Sequence, residues 1–481
     1  MENRLTIVVE EGPNAGARTW AARILATRAG LPFRIALLRQ GEDAPGGPTL
    51  YYGRREGVRG VTILPSPFFD GEFCTKRALV EKPSGLVQQT PVLFGDGTIT
   101  RREGETVIGA DLVASAFYFA SRLEEHVKDN RDAHGRFPAA ESFAGGNGLL
   151  ERALVDEYAR IIAGEVRRLY PSIERRRPWP ERADFTACVT HDIEHLRAIS
   201  RLGYLKGKAV RALRAFGDGD LAGASRAVRA GLSRAVSGHN PAWSFDALRD
   251  AVRPWPASFY FFGERTSVVD GEYDVRLGPL MAKIRELAAE GCEAGVHFGY
   301  ETGDDSDSMK RQAWRVKVAS GLEVRGGRHH YLSADFRGAW KAHEKAGLLY
   351  DTTLGYAEAA GFRAGTSYPF QPYDFATGKE MKIFEAPLVA MDGTFFQYQG
   401  LSAEEAVRRV MRLADAVKEA GGVFTLLWHN TMIDAVDKPQ ETRAYREITQ
   451  ALKSYAAWGA TVGQAVETWR AYAQSLEEGR G

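Results

Sequence analysis

Cysteine is scarce in this chain. Cys74, Cys188 and Cys292 are spread over 481 residues with no CxxC pair, which excludes a disulfide framework and a thiolate zinc finger. Cys188 lies in a strand-like run and Cys292 just before one, so both read as buried free thiols. An excess of one charge is also missing. The 63 Lys and Arg nearly balance 62 Asp and Glu, for a net charge of +1, so no global field favours nucleic acid or membrane. No apolar run approaches the ~18 residues that a bilayer-spanning helix requires. The first residues lack the apolar core and small-residue cleavage site of an export signal. A soluble, cytoplasmic protein is expected, with no nucleic-acid partner. No internal repeat is evident. Composition is that of a globular protein, 44% hydrophobic and 26% charged, and the length suits about two to four domains.

Residues 1–175 read as one small α/β domain. Strand patterns fall at 5–9, 34–38, 49–52 and 61–64, and helical patterns at 20–27, 111–123 and 149–169. The segment 171–180, with three prolines and a run of arginines, is the best linker candidate. From 184 to 475 strands alternate with helices. Strands are expected at 184–189, 257–262, 293–297, 324–330, 384–389 and 423–428. Helices are expected at 280–290, 308–322, 335–346, 403–420 and 442–458. Such alternation predicts parallel βα units, as a barrel or a doubly wound sheet. Residues 204–236 interrupt it with two helical patterns carrying seven Lys or Arg against two Asp. A basic amphipathic insertion of this kind can lie on an anionic membrane, cover a site, or pack as a solvated hairpin.

The most telling stretch is Thr190-His191-Asp192-Ile193-Glu194-His195, which ends the first of these later strands. Five polar or ionisable groups at the end of a buried strand are costly unless they bind one another or a ligand. On extended backbone Asp192 and Glu194 point to the same side. Other strands end alike: His297 through Glu301, Arg328 through Tyr331, and His429-Asn430. In parallel α/β folds the active site gathers at the carboxyl ends of strands. A metal-assisted hydrolase needs imidazole or carboxylate ligands with an open position, a base beside the water, and a proton donor for the leaving group. Glu194, His297 and either Glu301 or His330 can supply the ligands. Asp192 can serve as base, held ionised by Arg328, and His429 as acid.

On these residues the chain resembles the polysaccharide deacetylases, carbohydrate esterase family 4, over about 184–435. More closely it resembles a divergent bacterial branch with an extra N-terminal domain. Asp192-Ile193-Glu194 is similar to the family's Asp-x-Asp motif, His297 to the start of H-x-x-x-H, Arg328 to that of R-x-P, and the apolar strand ending in His429 to the last motif. Segments 116–125, 132–136, 361–366 and 428–430 also look like that branch. Glu301 stands where the family's second histidine is expected, and His330 where its proline is. The resemblance implies a distorted (β/α) barrel of the polysaccharide deacetylase type preceded by a smaller α/β domain. It implies one divalent metal, zinc or else Co, Mn or Ni, and removal of an N-acetyl group from a sugar. With no export signal, the expected partner is an acetamido sugar, a glycan or a lipid-linked glycan precursor, with peripheral membrane contact through 204–236. The alternatives are hydrolysis of a cyclic imide or ureide on the same fold, and a degenerate barrel that binds a glycan or partner without turnover. Tyr331, Phe362, Phe396 and Trp428 are candidates to line a sugar groove. Asp351 is a candidate to reach the site.

Overall fold

The structure, a computed structural model, describes residues 4–39, 42, 44–196, 201–237, 240 and 242–478, without side chains for 201–207 and 233–237. Two sheets organise it. The first has six strands in the order Phe33–Leu38, Leu5–Glu10, Thr49–Tyr52, Gly60–Ile63, Glu105–Ala110 and Gly95–Arg102. All neighbours are parallel except the last pair, an antiparallel hairpin. The first four strands follow the expected pattern, while the hairpin was not anticipated. Its outer strand is mostly exposed and alternates weakly, so it carries little of the period-2 signal.

The second sheet is a curled parallel half-barrel. Its order is Phe384–Glu385, Tyr350–Asp351, Gly326–His329, Glu293–Phe298, Ser258–Phe262, Phe185–Ile193, Val423–Leu427 and Ala390–Met391, with Ala457–Gly459 also beside Phe185–Ile193. Every residue of Phe185–Ile193 and of Val423–Leu427 is buried, as expected of parallel strands covered on both faces. The two outermost strands belong to one continuous segment. Residues 384–385 pair with one edge of the sheet and 390–391 with the other, so this single segment links the two edges of the curled sheet. The strand expected at 384–389 is therefore only the short pairing at 384–385, and a second short pairing lies just beyond it at 390–391.

Helices match the expected pattern where caps are strong. Ala403–Ala420 opens with a capping box between Ser402 and Glu405 and closes on Gly421 in the left-handed region, which glycine adopts at no steric cost. Where the expected helices fail, a backbone reason is visible. The helix expected at 111–123 ends at Ala120, because Arg122 takes a φ of 58° before a second short helix, Leu123–Val127. The helix expected at 442–458 stops at Ser454, and Trp458 instead pairs with Thr186 in the sheet.

The two sheets meet over buried charge. Glu125 accepts from Arg363 through both carboxylate oxygens at 2.8 Å and from Arg122 at 2.6 and 2.9 Å. Arg122 also donates to the Arg363 carbonyl. Asp156 accepts from Thr366 and Ser367 and lies 3.3 Å from Arg28. Burial alone would raise the Glu125 carboxyl, but the two guanidinium groups outweigh it and hold it down at about 2.

Candidate active site

Period-2 geometry places the site. Thr190 and Asp192 share one face of their strand, and Arg328 meets both. Its Nη1 donates to Thr190 Oγ1 at 3.0 Å and to Asp192 Oδ1 at 2.9 Å, and its Nε donates to the Thr352 carbonyl at 2.9 Å. The guanidinium also stacks on the Tyr260 ring, 4.8 Å from its centroid. Arg328 is fully buried and Asp192 nearly so, so the charge-assisted pair is screened from solvent. His191 points to the opposite face, against Phe259 and Tyr445. Burial lowers its imidazole to about 4, so it stays neutral and structural. His329 likewise turns away from the site and sits 3.0 Å from His343, with burial lowering both to about 3.

Glu194, His297 and His330 each bring one ligand-type atom into a group whose members all lie within 4.8 Å of one another. Glu194 Oε1 is 3.3 Å from His330 Nε2, 3.9 Å from His297 Nε2 and 3.5 Å from His429 Nε2. Burial opposes ionisation of Glu194, yet His429, His297 and His330 hold its carboxyl well below the usual range. Each imidazole is oriented from behind. His297 Nδ1 lies 3.0 Å from the Arg328 carbonyl, which can only accept, so Nδ1 is the donor there and Nε2 faces Glu194. That Nε2 is buried and has no hydrogen-bond partner. His330 Nδ1 lies 2.8 Å from Asp270 Oδ1. Burial disfavours its charged form, but Asp270 and Glu194 outweigh it and raise His330 to about 9 in the absence of a cation, so that binding a metal here must release the Nε2 proton. Asp270 is itself fixed by the backbone N–H groups of Thr266, Ser267 and Tyr300.

These donors fit a divalent cation. An unpartnered buried imidazole nitrogen faces a carboxylate and a second imidazole, and a carboxylate backs that second ring. Glu301 does not join them. The chain leaves its strand at Phe298 and turns, with Thr302 N–H donating to the Gly299 carbonyl. Glu301 is exposed on that turn, its backbone N–H tied to Thr266. His330, from the neighbouring strand end, stands in the cluster instead.

Beside Glu194 also lies His429. Asp392 accepts from its backbone N–H and meets its Nδ1, both at 2.6 Å. Burial would lower this imidazole, but Asp392 and Glu194 raise it to about 10, so Nε2 carries a proton at neutral pH. The adjacent Asn430 fixes the loop that carries Glu194. Its Oδ1 accepts from Glu194 N–H at 3.0 Å, and its Nδ2 donates to the carbonyls of His195 at 2.9 Å and Ala242 at 2.8 Å.

A cavity opens over these groups, lined by Asp192, Glu194, His330 and His429 and walled by Tyr331, Met391, Tyr398 and Leu427. Arg136, from the first 175 residues, completes the wall. It is paired with Asp132 and donates to the Tyr331 carbonyl at 2.9 Å and to Tyr398 Oη at 3.3 Å. His134 stacks on the Tyr331 ring. Of the expected groove aromatics only Tyr331 is at the cavity. Phe362 and Trp428 are buried in the core, and Phe396 packs on Trp428. Asp351 is buried beside Thr353 and Glu385, outside the cavity lining. Asp270, Asp392, Tyr398 and the clamp role of Asn430 were not read from the sequence. Asp270 and Asp392 each precede a glycine, a pattern that signals a turn before it signals chemistry.

Residues 14–171 match DUF7033, a family of unknown function. No curated protein matches the chain. Among solved structures, a Mycobacterium smegmatis protein assigned as a polysaccharide deacetylase shares 18% identity, with 61% of this chain and 92% of that one covered and a TM-score of 0.40. Puue allantoinase shares 14% identity over 62% of this chain and 94% of its own, with a TM-score of 0.41. The family 4 carbohydrate esterase of Streptomyces lividans, solved with acetate, shares 11% over 58% and 94%, with a TM-score of 0.30. The chain is structurally similar to the family 4 polysaccharide deacetylases over about 60% of its length, and it carries in addition an N-terminal region that matches DUF7033.

Proposed function

We propose that this chain is a metal-dependent hydrolase that removes an N-acetyl group from a sugar or glycan precursor. One arrangement carries the reading. Glu194, His297 and His330 converge beside an Arg328-held Asp192 and an Asp392-held His429. Two imidazoles and a carboxylate with room for a further ligand suit zinc, and Co, Mn or Ni in its place. A divalent ion held by that cluster would supply Lewis-acid polarisation of a carbonyl and acidify water.

The remaining chemistry belongs to side chains. Asp192 takes the proton of the attacking water, and Arg328 holds its carboxylate in place through a charge-assisted hydrogen bond. His429 Nε2 gives its proton to the departing amine, with Asp392 stabilising the imidazolium beforehand. Both proton-handling groups line the same cavity as Glu194. The faces of Tyr331 and Tyr398, 40% and 46% exposed, offer aromatic surface to the apolar face of a pyranose ring.

The test is metal analysis of the purified protein together with acetate release from a panel of acetamido sugars, with cyclic imides assayed in parallel. Stoichiometric metal and sugar-dependent acetate release are expected, both reactions being lost on chelation. A protein without bound metal, or one in which Asp192→Asn leaves acetate release unchanged, overturns the reading. Turnover of the imides alone moves the bond to a cyclic amide.

A further inference from the structure

The helical excursion after Glu194 is built inside out. Its two helices, Arg201–Gly217 and Leu221–Ser237, run through a short turn at 218–220. In a soluble hairpin the large apolar side chains face the partner helix. Here the buried positions among the described side chains of the second helix are Ala227, Ala230 and Gly231. Among the described side chains the large apolar ones lie outside instead. Leu213 is 73% exposed, Phe216 67%, Leu221 66% and Leu232 60%. Val210 and Val228 are exposed as well. In the first helix positions 210, 213 and 216 form one stripe, and in the second 221, 228 and 232 form another, each at helical spacing. Six large apolar side chains on one supersecondary unit exceed the scattered exposure usual for a soluble surface.

Charge identifies what covers them. Exposed Arg211, Arg214, Arg226 and Arg229 flank the two stripes. Residues 204–236 hold seven Lys or Arg against two Asp in a chain whose net charge is +1, so the positive charge is concentrated here. Both acidic residues sit in or beside the turn, where Asp220 accepts from the Gly223 N–H and lies 3.7 Å from Arg226. Apolar stripes bordered by arginine are the pattern of helices that lie in a membrane interface, with the stripe at the acyl boundary and the cations among anionic headgroups. Among the described residues no helix is long and apolar enough to cross a membrane, so the contact is peripheral. A further exposed apolar residue stands at the lip of the cavity. Val268, 86% exposed, adjoins the cavity-lining Val269 on the loop that carries Asp270.

We propose that this hairpin docks the protein on an anionic bilayer surface. The inference does not use the hydrolase reading, and its test needs no substrate. The full-length protein is sedimented with vesicles of phosphatidylcholine alone and of phosphatidylcholine mixed with phosphatidylglycerol, at low and high salt. Binding to the anionic vesicles, weakened by salt, is expected. Replacing Arg211, Arg214, Arg226 and Arg229 by Gln lowers the partition coefficient by about fivefold per residue. The combined substitution Leu213→Ser, Phe216→Ser and Leu221→Ser abolishes binding with unchanged thermal unfolding and metal content. Equal binding to both vesicle types, no binding to either, or undiminished binding by the serine variant overturns the proposal. So does lipid-free dimerisation that the serine variant removes, since a second copy then covers the face.

Discussion

Asp392 holds His429 at two points at once, taking its backbone N–H on one carboxylate oxygen and meeting its Nδ1 with the other, both at 2.6 Å. The ring can neither flip nor lose its Nδ1 proton without breaking this grip. Asp392→Asn keeps the shape and removes the charge. Acetate release is expected to fall by about 10²- to 10⁴-fold, the usual worth of a positioned general acid. Metal content should be unchanged, because Asp392 hydrogen-bonds only His429 and the Gly393 N–H among the described residues. Steady-state kinetics beside metal analysis separates the two effects, and unchanged kinetics refutes the assignment.

Asp270 should act on the metal without touching it. It backs His330 at 2.8 Å and is buried. Asp270→Asn is expected to weaken metal affinity by about 10- to 100-fold, as loss of a carboxylate behind an imidazole ligand does. Glu301→Gln should leave affinity as it is, because Glu301 is exposed on its turn. Titrating metal into the stripped protein compares them directly. A comparable loss in Glu301→Gln would return Glu301 to the ligand set, and an unchanged affinity in Asp270→Asn would remove Asp270 from its supporting role.

Glu125 ties the stability of the whole molecule to acid. Its folded carboxyl is held at about 2, against an ordinary value of 4.5. A depressed carboxyl contributes its full stability above the unfolded value, and loses it as pH falls from about 4.5 towards 2. Glu125→Gln strands Arg122 and Arg363 without their shared partner, at a cost of about 3–5 kcal/mol near neutrality. Denaturant melts across pH should show the difference between wild type and variant shrinking through that acid window. A constant difference would mean that the carboxylate is not the source of the effect.

Arg136 carries the first region's contribution to the cavity. Tyr331 has a φ of 59°, a conformation that costs a non-glycine residue on the order of 1 kcal/mol or more, and Arg136 donates to its carbonyl. Arg136→Ala releases that carbonyl and the Tyr398 hydroxyl together. KM for a glycan substrate is expected to rise while kcat changes little. A fall in kcat at constant KM would place Arg136 nearer the chemistry than its contacts indicate.

Much of the site was legible because buried strands seldom end in ionisable groups. Asp192, Glu194, His297, Arg328, His330 and His429 all stand out on that ground, and the structure gathers them at adjacent strand ends. What was hidden follows from turns. Spacing along the chain left Glu301 and His330 both open as partners to His297; a turn after Phe298 carries Glu301 outward, and His330, 33 positions from His297, takes the place from the next strand. Asp270 and Asp392 sit where a turn needs an aspartate for its own reasons, so nothing local separates the two uses. The fold was legible wherever hydrophobic period and caps agreed, as in Ala403–Ala420. It failed where one residue, Arg122, adopts a left-handed conformation, and where a segment divides its pairing between two edges of the sheet.

The Asn430 side chain joins three stretches that are distant in sequence: the backbone of Glu194, the carbonyl of His195 before the helical excursion, and the carbonyl of Ala242 after it. The hairpin therefore leaves and re-enters the barrel through a fixed doorway. Its length and surface can change without moving Glu194, much as a tool can be exchanged in a chuck that stays locked to the machine.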